Sequence, residues 1–231
     1  HYLLRNDHTS PFEQVILTFH CKMPIFVARQ WVRHRTARLN EISGRYSIMR
    51  DEFYVPHVDQ MRGQSENNKQ ARSEDVLPSG GRMIDQMVED QRQLYRHYEE
   101  MIEGGLAREI ARANLPLSLY TEWYWQIDLH NLFRFLYLRM DAHAQYEIRV
   151  FAEAMAKCAK AVAPLAYEAF EEHIVGAVRF SRAECAALLR LMNGEESGLE
   201  GRSLAIFEEK LQRMRDAQPA APTEEVVLPS G

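Results

Sequence analysis

Cysteine is scarce in this chain, and long apolar runs are missing from it. The three cysteines, Cys21, Cys158 and Cys185, lie far apart and in no paired spacing. This argues against a disulfide framework and against a cysteine zinc site, so we expect no metal and a reducing, cytoplasmic environment. Because no apolar run approaches the roughly 18 residues that cross a bilayer, we also expect no membrane partner.

A basic excess is missing as well. Lys and Arg total 28 against 33 Asp and Glu, which gives a formal net charge of -5. Proteins that bind duplex nucleic acid by charge usually carry a basic excess, so we do not expect nucleic acid as a partner. Recognition of an anion must therefore come from a local group of basic side chains. The content of 46% hydrophobic and 26% charged residues is typical of one globular domain, with or without a small appendage.

The hydrophobic pattern predicts both strands and helices. Alternation of apolar and polar residues predicts strands at 14–22, 46–55 and 117–127. Helical spacing predicts helices directly after Pro24 and at 82–103, 106–114, 129–140, 144–174, 181–192 and 202–214. Residues 40–44 and the polar segment 57–81 are expected to be loops, the second one mobile. The Pro/Ala-rich residues 218–231 are expected to be disordered.

An arginine-rich segment carries the chemistry of the sequence. Its basic residues are Arg29, Arg33, His34, Arg35, Arg38 and Arg45. The planar fork of arginine donates two parallel hydrogen bonds to a phosphate, and so many guanidiniums repel one another unless an anion lies between them. Gly44 allows close backbone approach, Ser43 supplies a hydroxyl, and Glu41 can orient an arginine or accept from a ribose hydroxyl. The segment predicts a site for a phosphorylated, nucleotide-like ligand.

A solvated basic helix face is the alternative interpretation of these arginines. It suits Arg29 and Arg38 taken singly, because charged side chains usually face solvent. It fits the whole segment poorly, since apolar residues are interleaved with the arginines: Trp31, Val32, Leu39 and Ile42.

The sequence around this segment resembles the flavin-dependent thymidylate synthases. Arg33-His34-Arg35, followed after seven residues by Ser43, matches the R-H-R-x7-S signature of that family. Further blocks match in family order: Ser10-Pro11-Phe12-Glu13, 24–31, Asn40-Glu41, 44–47 and 141–145. The resemblance runs from about residue 8 to about residue 170 and does not cover the chain beyond residue 175.

The resemblance implies an α+β fold, with an antiparallel sheet flanked by long helices and a helical C-terminal part. Residues 1–175 would form the domain that binds FAD and dUMP, 176–217 a helical extension and 218–231 a disordered tail. The family's first strand and helix have no counterpart here, so we expect that an N-terminal portion is missing before His1.

The resemblance also implies an activity. In this family dUMP is reductively methylated to dTMP, with methylenetetrahydrofolate as carbon donor and NADPH-reduced FAD as hydride source. No protein cysteine attacks the uracil, and each active site lies where subunits of a homotetramer meet. We therefore expect FAD as cofactor, dUMP, NADPH and methylenetetrahydrofolate as ligands, and a homotetramer. The alternative is a non-catalytic nucleotide- or RNA-binding module that uses the same arginines.

Residue roles carry over from the matched positions. The residues implied to bind FAD are Ser10, Glu13, Arg33, His34, Arg35, Glu41, Asp128, His130 and Arg134. Asp128 and Arg134 stand where many family members carry Asn, so the contacts to the adenine half would be altered. The residues implied to bind dUMP are Gln30, Ser43, Gly44, Arg45, Arg112 and Arg139.

Two further matched positions concern the reacting rings. Arg139 matches the residue that favours the N3-ionised uracil, because a fixed guanidinium stabilises negative charge spread over N3 and the adjoining carbonyls. Its alternative role is an ion pair with Asp141 or Glu147. His8 matches a histidine that packs against the folate-side ring stack, and the alternative is an ordinary surface residue.

Overall fold

Helices and short antiparallel strands make up the computed structural model, which describes residues 1–65 and 71–216. The strands are β1 (Ile16–Pro24), β2 (Arg38–Glu41), β3 (Arg62–Gln64), β4 (Arg72–Val76) and β5 (Tyr120–Asp128). The helices are α1 (Tyr2–Arg5), α2 (Ser10–Glu13), α3 (Ile25–Trp31), α4 (Gly80–Glu103), α5 (Arg108–Ala111), α6 (Leu129–Arg139), α7 (Tyr146–Val162), α8 (Pro164–Phe170), α9 (Arg182–Met192) and α10 (Gly201–Asp216). The tail predicted to be disordered, 218–231, lies outside the described residues.

The central sheet is antiparallel and has the order β1-β5-β2. Cys21 pairs with Trp123 on the core face, and His20 pairs with Tyr124 on the outer face. Successive side chains of a strand point to opposite faces, so the alternation of apolar and polar residues at 14–22 determines which side chains face the core. The strand predicted there is confirmed, with its bounds moved by two residues.

An aromatic cluster fills the core beneath this sheet. The indole of Trp31, on α3, is fully buried and meets the rings of Trp123 and Trp125 at centroid distances of 5.5 and 5.2 Å. Phe135, on α6, stacks on the same indole at 5.1 Å. Such ring pairs stabilise beyond the area they bury. This packing fixes the end of α3, where the arginine-rich segment begins.

The strand predicted at 46–55 is wrong. In this segment only Phe53 forms a β-bridge among the described residues, with Leu119. The backbone of Met49 is instead held by α4: the Tyr95 hydroxyl donates to its carbonyl at 2.9 Å, and the Tyr98 hydroxyl accepts from its N–H at 3.1 Å. Because side chains satisfy these backbone groups, no neighbouring strand is needed there.

The loops predicted at 40–44 and 57–81 are only partly right. Residues 40 and 41 belong to β2, which pairs with the free edge of β5 although it lacks an apolar alternation. The second segment contains the β3–β4 hairpin, in which Arg62 pairs with Val76 and Gln64 with Arg72. Residues 66–70 of the predicted mobile loop lie outside the part of the chain that the structure describes.

The remaining helices follow the predicted pattern only in part: the helix predicted at 106–114 is α-helical only at Arg108–Ala111, and α1 and α2 have no predicted counterpart. The prediction of a single helix at 144–174 is wrong, because α7 ends at Val162 and α8 begins at Pro164. Proline lacks an N–H and clashes with the preceding turn, so a helix cannot pass through it undisturbed. A π-helical turn, Glu171–Val175, follows α8.

The chain divides after Glu168 into two compact units. In the second unit, Ser181 caps α9 with a reciprocal bond to Glu184, which confirms the helix start predicted there. The Lys210 ammonium on α10 donates to both oxygens of Glu184 at 2.7 Å, and Phe180 meets Phe207 edge-on at 6.1 Å. These contacts join α9 to α10.

The expected fold class is confirmed: the chain is α+β, with small antiparallel sheets and long helices. In the described ranges, 1–65 and 71–216, no helix is both long and apolar enough to span a membrane.

Candidate active site

A cavity of about 440 Å³ lies between the R-H-R segment and α6. We call it the arginine cavity, and its described lining residues are Arg33, His34, Arg35, Thr36, Ile127, Asn131, Arg134, Leu138 and Arg139. Asn131, Arg134 and Leu138 are spaced by three and four residues on α6, so they share one helix face. The structure thus brings four of the predicted FAD residues together with the predicted uracil-binding arginine.

The charges of this cavity all have one sign. None of its described lining residues is a carboxylate. Within residues 1–65 and 71–216, the guanidiniums of Arg33, Arg35, Arg134 and Arg139 have no ion-pair partner. The alternative ion pair of Arg139 with Asp141 or Glu147 is not formed. Arg33, Arg35 and Arg134 are exposed to solvent, which screens their mutual repulsion, so the four cations can gather without a bound anion and remain available to bind one.

His34 and Arg139 are joined inside the cavity. The Arg139 Nε–H donates to His34 Nε2 at 2.9 Å, so the imidazole is neutral and acts as an acceptor. Burial, together with the charges of Arg139 and Arg134, lowers the pKa of His34 to about 4. Burial also lowers the pKa of Arg139. The bond occupies one edge of the guanidinium and leaves both terminal nitrogens available to a ligand.

A second cavity, of about 360 Å³, follows the signature serine. We call it the glycine cavity, and its described lining is Ile25, Glu41, Ile42, Ser43, Gly44, Met49, Arg112, Leu115, Leu119 and Thr121. A Cβ at Gly44 would lie 3.0 Å from Met49 Sδ and 3.2 Å from Arg112 Cδ, so any larger residue would displace these two side chains by a few tenths of an ångström. Three predicted dUMP residues, Ser43, Gly44 and Arg112, therefore share one cavity.

Two other predicted dUMP residues lie outside the lining of the glycine cavity. The Gln30 Oε1 atom is buried and has no hydrogen-bond partner among the described residues. A buried acceptor without a partner is unfavourable, and a donor on a bound ligand would satisfy it. Arg45 is exposed and its Nε–H donates to Glu109 at 3.2 Å.

Glu41, predicted to bind FAD, lines the glycine cavity instead of the arginine cavity. The buried Thr121 hydroxyl donates to Glu41 Oε1 at 2.5 Å. This bond fixes one carboxylate oxygen and leaves the other available. The role of Glu41 toward FAD stays a prediction.

The remaining predicted FAD residues do not line the arginine cavity. Ser10 and Glu13 belong to α2, whose Phe12 packs against Phe133 of α6 at 6.4 Å. Asp128 caps α6, and its two oxygens accept from the backbone and side-chain N–H groups of Asn131, both at 2.8 Å. His130 is half-buried in the first turn of α6.

His8 lies at the exposed N-terminal end, edge-on to Tyr2 at 6.0 Å. This position fits the alternative interpretation of His8 as an ordinary surface residue. Its packing against the folate-side ring stack stays a prediction.

Cysteines take no part in either cavity. Burial raises the pKa of Cys21 to about 11, so its sulfur is a protonated thiol near neutral pH. Cys158 and Cys185 are exposed, and neither lines the arginine or the glycine cavity. Among the described residues, no group of three or more His, Cys, Asp or Glu side chains could hold a metal ion.

Sequence reasoning missed several polar partners in these cavities. Asn131 and Thr36 line the arginine cavity, and Thr121 holds Glu41 in the glycine cavity. Asn131 could have been found from its helical spacing to Arg134 and Leu138. Thr121 could not, because its partner lies 80 residues away in the chain and meets it only across the β2–β5 pair.

Comparison with known proteins identifies the family of this chain. The family model described as "Thymidylate synthase complementing protein" matches residues 1–165, and the one described as "Thymidylate synthase ThyX C-terminal domain" matches residues 178–217. The flavin-dependent thymidylate synthase of Treponema denticola is 56% identical over 216 residues, which cover 93% of this chain and 81% of that protein. The chain belongs to the flavin-dependent thymidylate synthases.

Further relatives agree with this assignment. The flavin-dependent thymidylate synthase of Treponema pallidum is 54% identical over 213 residues, covering 91% of this chain and 70% of that protein. Among solved structures, a UMP/dUMP methylase PolB from Streptomyces cacaoi bound with 5-Br UMP is similar with a TM-score of 0.71 and 32% identity, over 74% of this chain and 81% of that one. The family resemblance and the expected fold are therefore confirmed, whereas the expectation that the resemblance stops near residue 175 is wrong, because a family model also matches residues 178–217.

Proposed function

We propose that this chain is an FAD-dependent thymidylate synthase that reductively methylates dUMP to dTMP. Methylenetetrahydrofolate would supply the carbon and NADPH the reducing equivalents, without a cysteine nucleophile. One observation carries the proposal: the R-H-R signature opens onto a cavity with four guanidiniums and no carboxylate in its described lining. An acidic chain that concentrates unpaired arginines at one cavity is built for a specific anion.

The donor set of the arginine cavity suits the diphosphate of FAD. Arg33, Arg35 and Arg134 would hold its oxygens, since guanidiniums bind phosphate in a bidentate manner. His34, which is neutral, would not add a fifth charge. Reduced FAD, when bound, supplies the hydride of the reaction. The remaining residues proposed to complete the FAD contacts are Ser10, Glu13, Glu41, Asp128 and His130.

The glycine cavity suits the substrate nucleotide. We assign Ser43, Gly44 and Arg112 to dUMP, with Arg112 and Arg45 acting on the phosphate and the unpaired Gln30 Oε1 accepting from the ligand. Arg45 would exchange its exposed contact with Glu109 for this stronger partner, because a surface ion pair contributes little.

Arg139 would act on the uracil itself. Its bond to His34 holds the guanidinium in a fixed orientation, so little reorganisation is needed when negative charge develops at N3 and the adjoining carbonyls. Stabilising the N3-ionised ring makes C5 more nucleophilic without a covalent enzyme adduct. This is consistent with the lack of a cysteine in the described lining of both cavities.

A homotetramer with active sites between subunits would complete the site. In one chain, Arg139 and Ser43 line different cavities, and the two described linings share no residue. Association of copies offers a way to bring the two sets around one ligand. Within each chain we assign the binding functions to residues 1–175, a helical extension to 176–217 and a tail to 218–231, and we place the enzyme in the cytoplasm.

A spectroscopic and a kinetic measurement test the proposal. The purified protein should show a flavin absorption band, and it should convert dUMP to dTMP when NADPH and methylenetetrahydrofolate are supplied. A colourless protein that cannot be reconstituted with FAD would contradict it. Salt-sensitive binding of many nucleotides without turnover would instead fit the non-catalytic binding module.

A further inference from the structure

A third cavity, of about 320 Å³, lies between the β3–β4 hairpin and the start of α7. We call it the hairpin cavity. Three guanidiniums line it, those of Arg62, Arg72 and Arg149, and Gln60 and Gln145 add amide groups. None of these residues lines the arginine cavity or the glycine cavity, so the roles proposed above do not account for them.

The three guanidiniums differ in how they are neutralised. Arg72 donates to both oxygens of the buried Glu147 at 2.6 and 2.7 Å, so its charge is balanced within the protein. Arg62 only donates to the backbone carbonyl of Asp59, at 2.7 Å, and has no carboxylate partner in the described part of the chain. Arg62 is therefore the one guanidinium of the described hairpin lining that has no carboxylate partner.

Arg149 is oriented but weakly neutralised. Its Nη1–H donates to the carbonyl of Ala142 at 3.0 Å, while Glu153 lies 3.6 Å from Nε and is half exposed. Such an ion pair contributes little. Because Arg72 is balanced by Glu147, two guanidiniums, those of Arg62 and Arg149, stand against the single carboxylate of the described lining, that of Glu74. The balance of the lining favours an anion.

The cavity lies directly beyond the residue proposed to act on uracil. Leu138 and Arg139 line the arginine cavity, and Ala142 to Tyr146, a few residues later, line the hairpin cavity. The short segment between α6 and α7 thus has the arginine cavity at its start and the hairpin cavity at its end. A ligand that has a reactive ring and a charged tail could occupy both.

We infer that the hairpin cavity binds the anionic tail of a co-substrate, through the guanidiniums of Arg62 and Arg149. This inference rests on the proposed function, because both co-substrates of that reaction combine a reacting ring with a multiply charged tail. The tail is either the 2′-phosphate end of NADPH or the glutamate tail of the folate, and the shared chemistry is an oligoanion bound by paired arginines. Arg72 holds the hairpin in place through Glu147 and does not bind the ligand.

The test uses the flavin-loaded protein and the double variant Arg62→Gln/Arg149→Gln. The control is Arg92→Gln, an exposed position on α4 that removes the same kind of charge away from the cavity. Calorimetric titration with 2′,5′-ADP and with a tri-γ-glutamate peptide measures tail binding directly. One probe should bind the wild type, and its affinity should fall roughly a hundredfold in the double variant, since hydrogen bonds to charged groups contribute about tenfold each. The control should bind as the wild type does.

Steady-state kinetics then identify the tail. If the phosphate end binds, the ratio of KM for NADH to KM for NADPH should fall in the double variant. If the glutamate tail binds, the ratio of KM for the monoglutamyl to KM for the triglutamyl folate should fall instead. The inference is overturned if neither probe binds, or if both KM ratios stay as in the wild type. A wild type without flavin or turnover would contradict the proposed function, whereas an active wild type with unchanged ratios contradicts only this inference.

Discussion

Arginines in two regions of this chain differ in whether a carboxylate lies beside them. In the arginine cavity, four guanidiniums gather without any carboxylate among the described lining residues. At the hairpin, Arg72 donates to Glu147, and the Tyr54 hydroxyl donates to the same carboxylate at 2.7 Å. Glu147 is 4% exposed, so this second group is a finished internal network.

The difference separates arginines that stabilise the fold from arginines that bind a ligand. A guanidinium paired with a buried carboxylate stabilises the fold, and removing its partner leaves a charge without compensation. A guanidinium without a carboxylate partner does not contribute an ion pair to the fold and gains a charged partner only when an anion binds. Changes in the first region should therefore affect stability, and changes in the second should affect ligand binding and turnover.

The largest expected effect is on turnover. Arg139→Ala should lower kcat roughly 100- to 1,000-fold, the usual result of removing one donor that stabilises developing negative charge. Flavin absorbance of the purified variant should be retained, because Arg33, Arg35 and Arg134 remain. Stopped assays of dTMP formation at saturating FAD and dUMP measure the effect.

A matched change on the same helix sharpens this result. Arg134→Gln should weaken FAD binding roughly tenfold, as one charged hydrogen bond is lost, yet leave kcat at saturating FAD close to the wild type. If both variants lost flavin and turnover to the same extent, the separate roles proposed for Arg134 and Arg139 would be untenable.

The next effect is on stability at the paired site. Arg72→Met should lower the free energy of unfolding by about 3 kcal/mol, the low end for breaking a buried ion pair, since Arg72 itself is one-third exposed. Urea denaturation at fixed protein and flavin concentration measures it. Arg92→Met on α4 is the control and should change stability by less than about 0.5 kcal/mol.

The pH dependence of the same variant checks the cause. Burial alone would raise the pKa of Glu147, but hydrogen bonds from Arg72 and Tyr54 hold it below its usual value. In the wild type, this carboxylate therefore stabilises the fold above about pH 4.5 and ceases to do so as the pH falls through its lowered pKa. Without Arg72, burial should dominate and raise the pKa, so stability should instead decline as the pH rises past about 4.5.

Much of the framework of the fold could be predicted from the sequence. Alternation identified β1, and helical spacing identified α4, α6, α9 and α10, because each buries one side against the core. The strand predicted at 46–55 is wrong because the apolar residues there alternate as in a strand, whereas Tyr95 and Tyr98 of α4 bind the backbone of this segment. Periodicity cannot reveal a partner so distant in the chain.

The arginines of the candidate site could be predicted from the sequence, but the full lining of the two cavities and the grouping of its residues could not. The signature identified the arginines, and the structure brings Arg33, His34 and Arg35 beside Arg134 and Arg139. Nothing in the sequence indicates that Glu41 lies with Ser43 in a separate cavity, held by Thr121. That arrangement arises from the register of β2 on β5, which pairing across the sheet determines.

A smaller effect concerns His34, the neutral member of the arginine cavity. Its pKa of about 4 lies below the ordinary 6.5, so the unfolded chain binds more protons between these values and stability falls as the pH drops through this window. His34→Gln should reduce this pH-dependent loss of unfolding free energy by about 1 kcal/mol. The value is smaller than the pKa shift alone would give, because the ring is only half-buried and solvent screens its charge. Calorimetric Tm values at pH 7 and pH 4.5 measure it. His97→Gln on α4 should leave the difference between the two Tm values as in the wild type, and equal pH dependence of all three proteins would refute the assignment.

The smallest expected effect concerns Arg112 in the glycine cavity. It tests whether this arginine, like those of the arginine cavity, serves ligand binding. In Gly44→Ala the new Cβ would meet Met49 Sδ and Arg112 Cδ at 3.0 and 3.2 Å. Both contacts are to flexible side chains that must give by a few tenths of an ångström, and a displaced Arg112 would bind the phosphate less well, so KM for dUMP should rise about threefold, or roughly 0.7 kcal/mol, with little change in kcat. Initial-rate kinetics measure this. Gly81→Ala, where no atom lies within 4 Å of the added Cβ, is the matched control. An unchanged KM would mean that Arg112 does not bind the phosphate from this position.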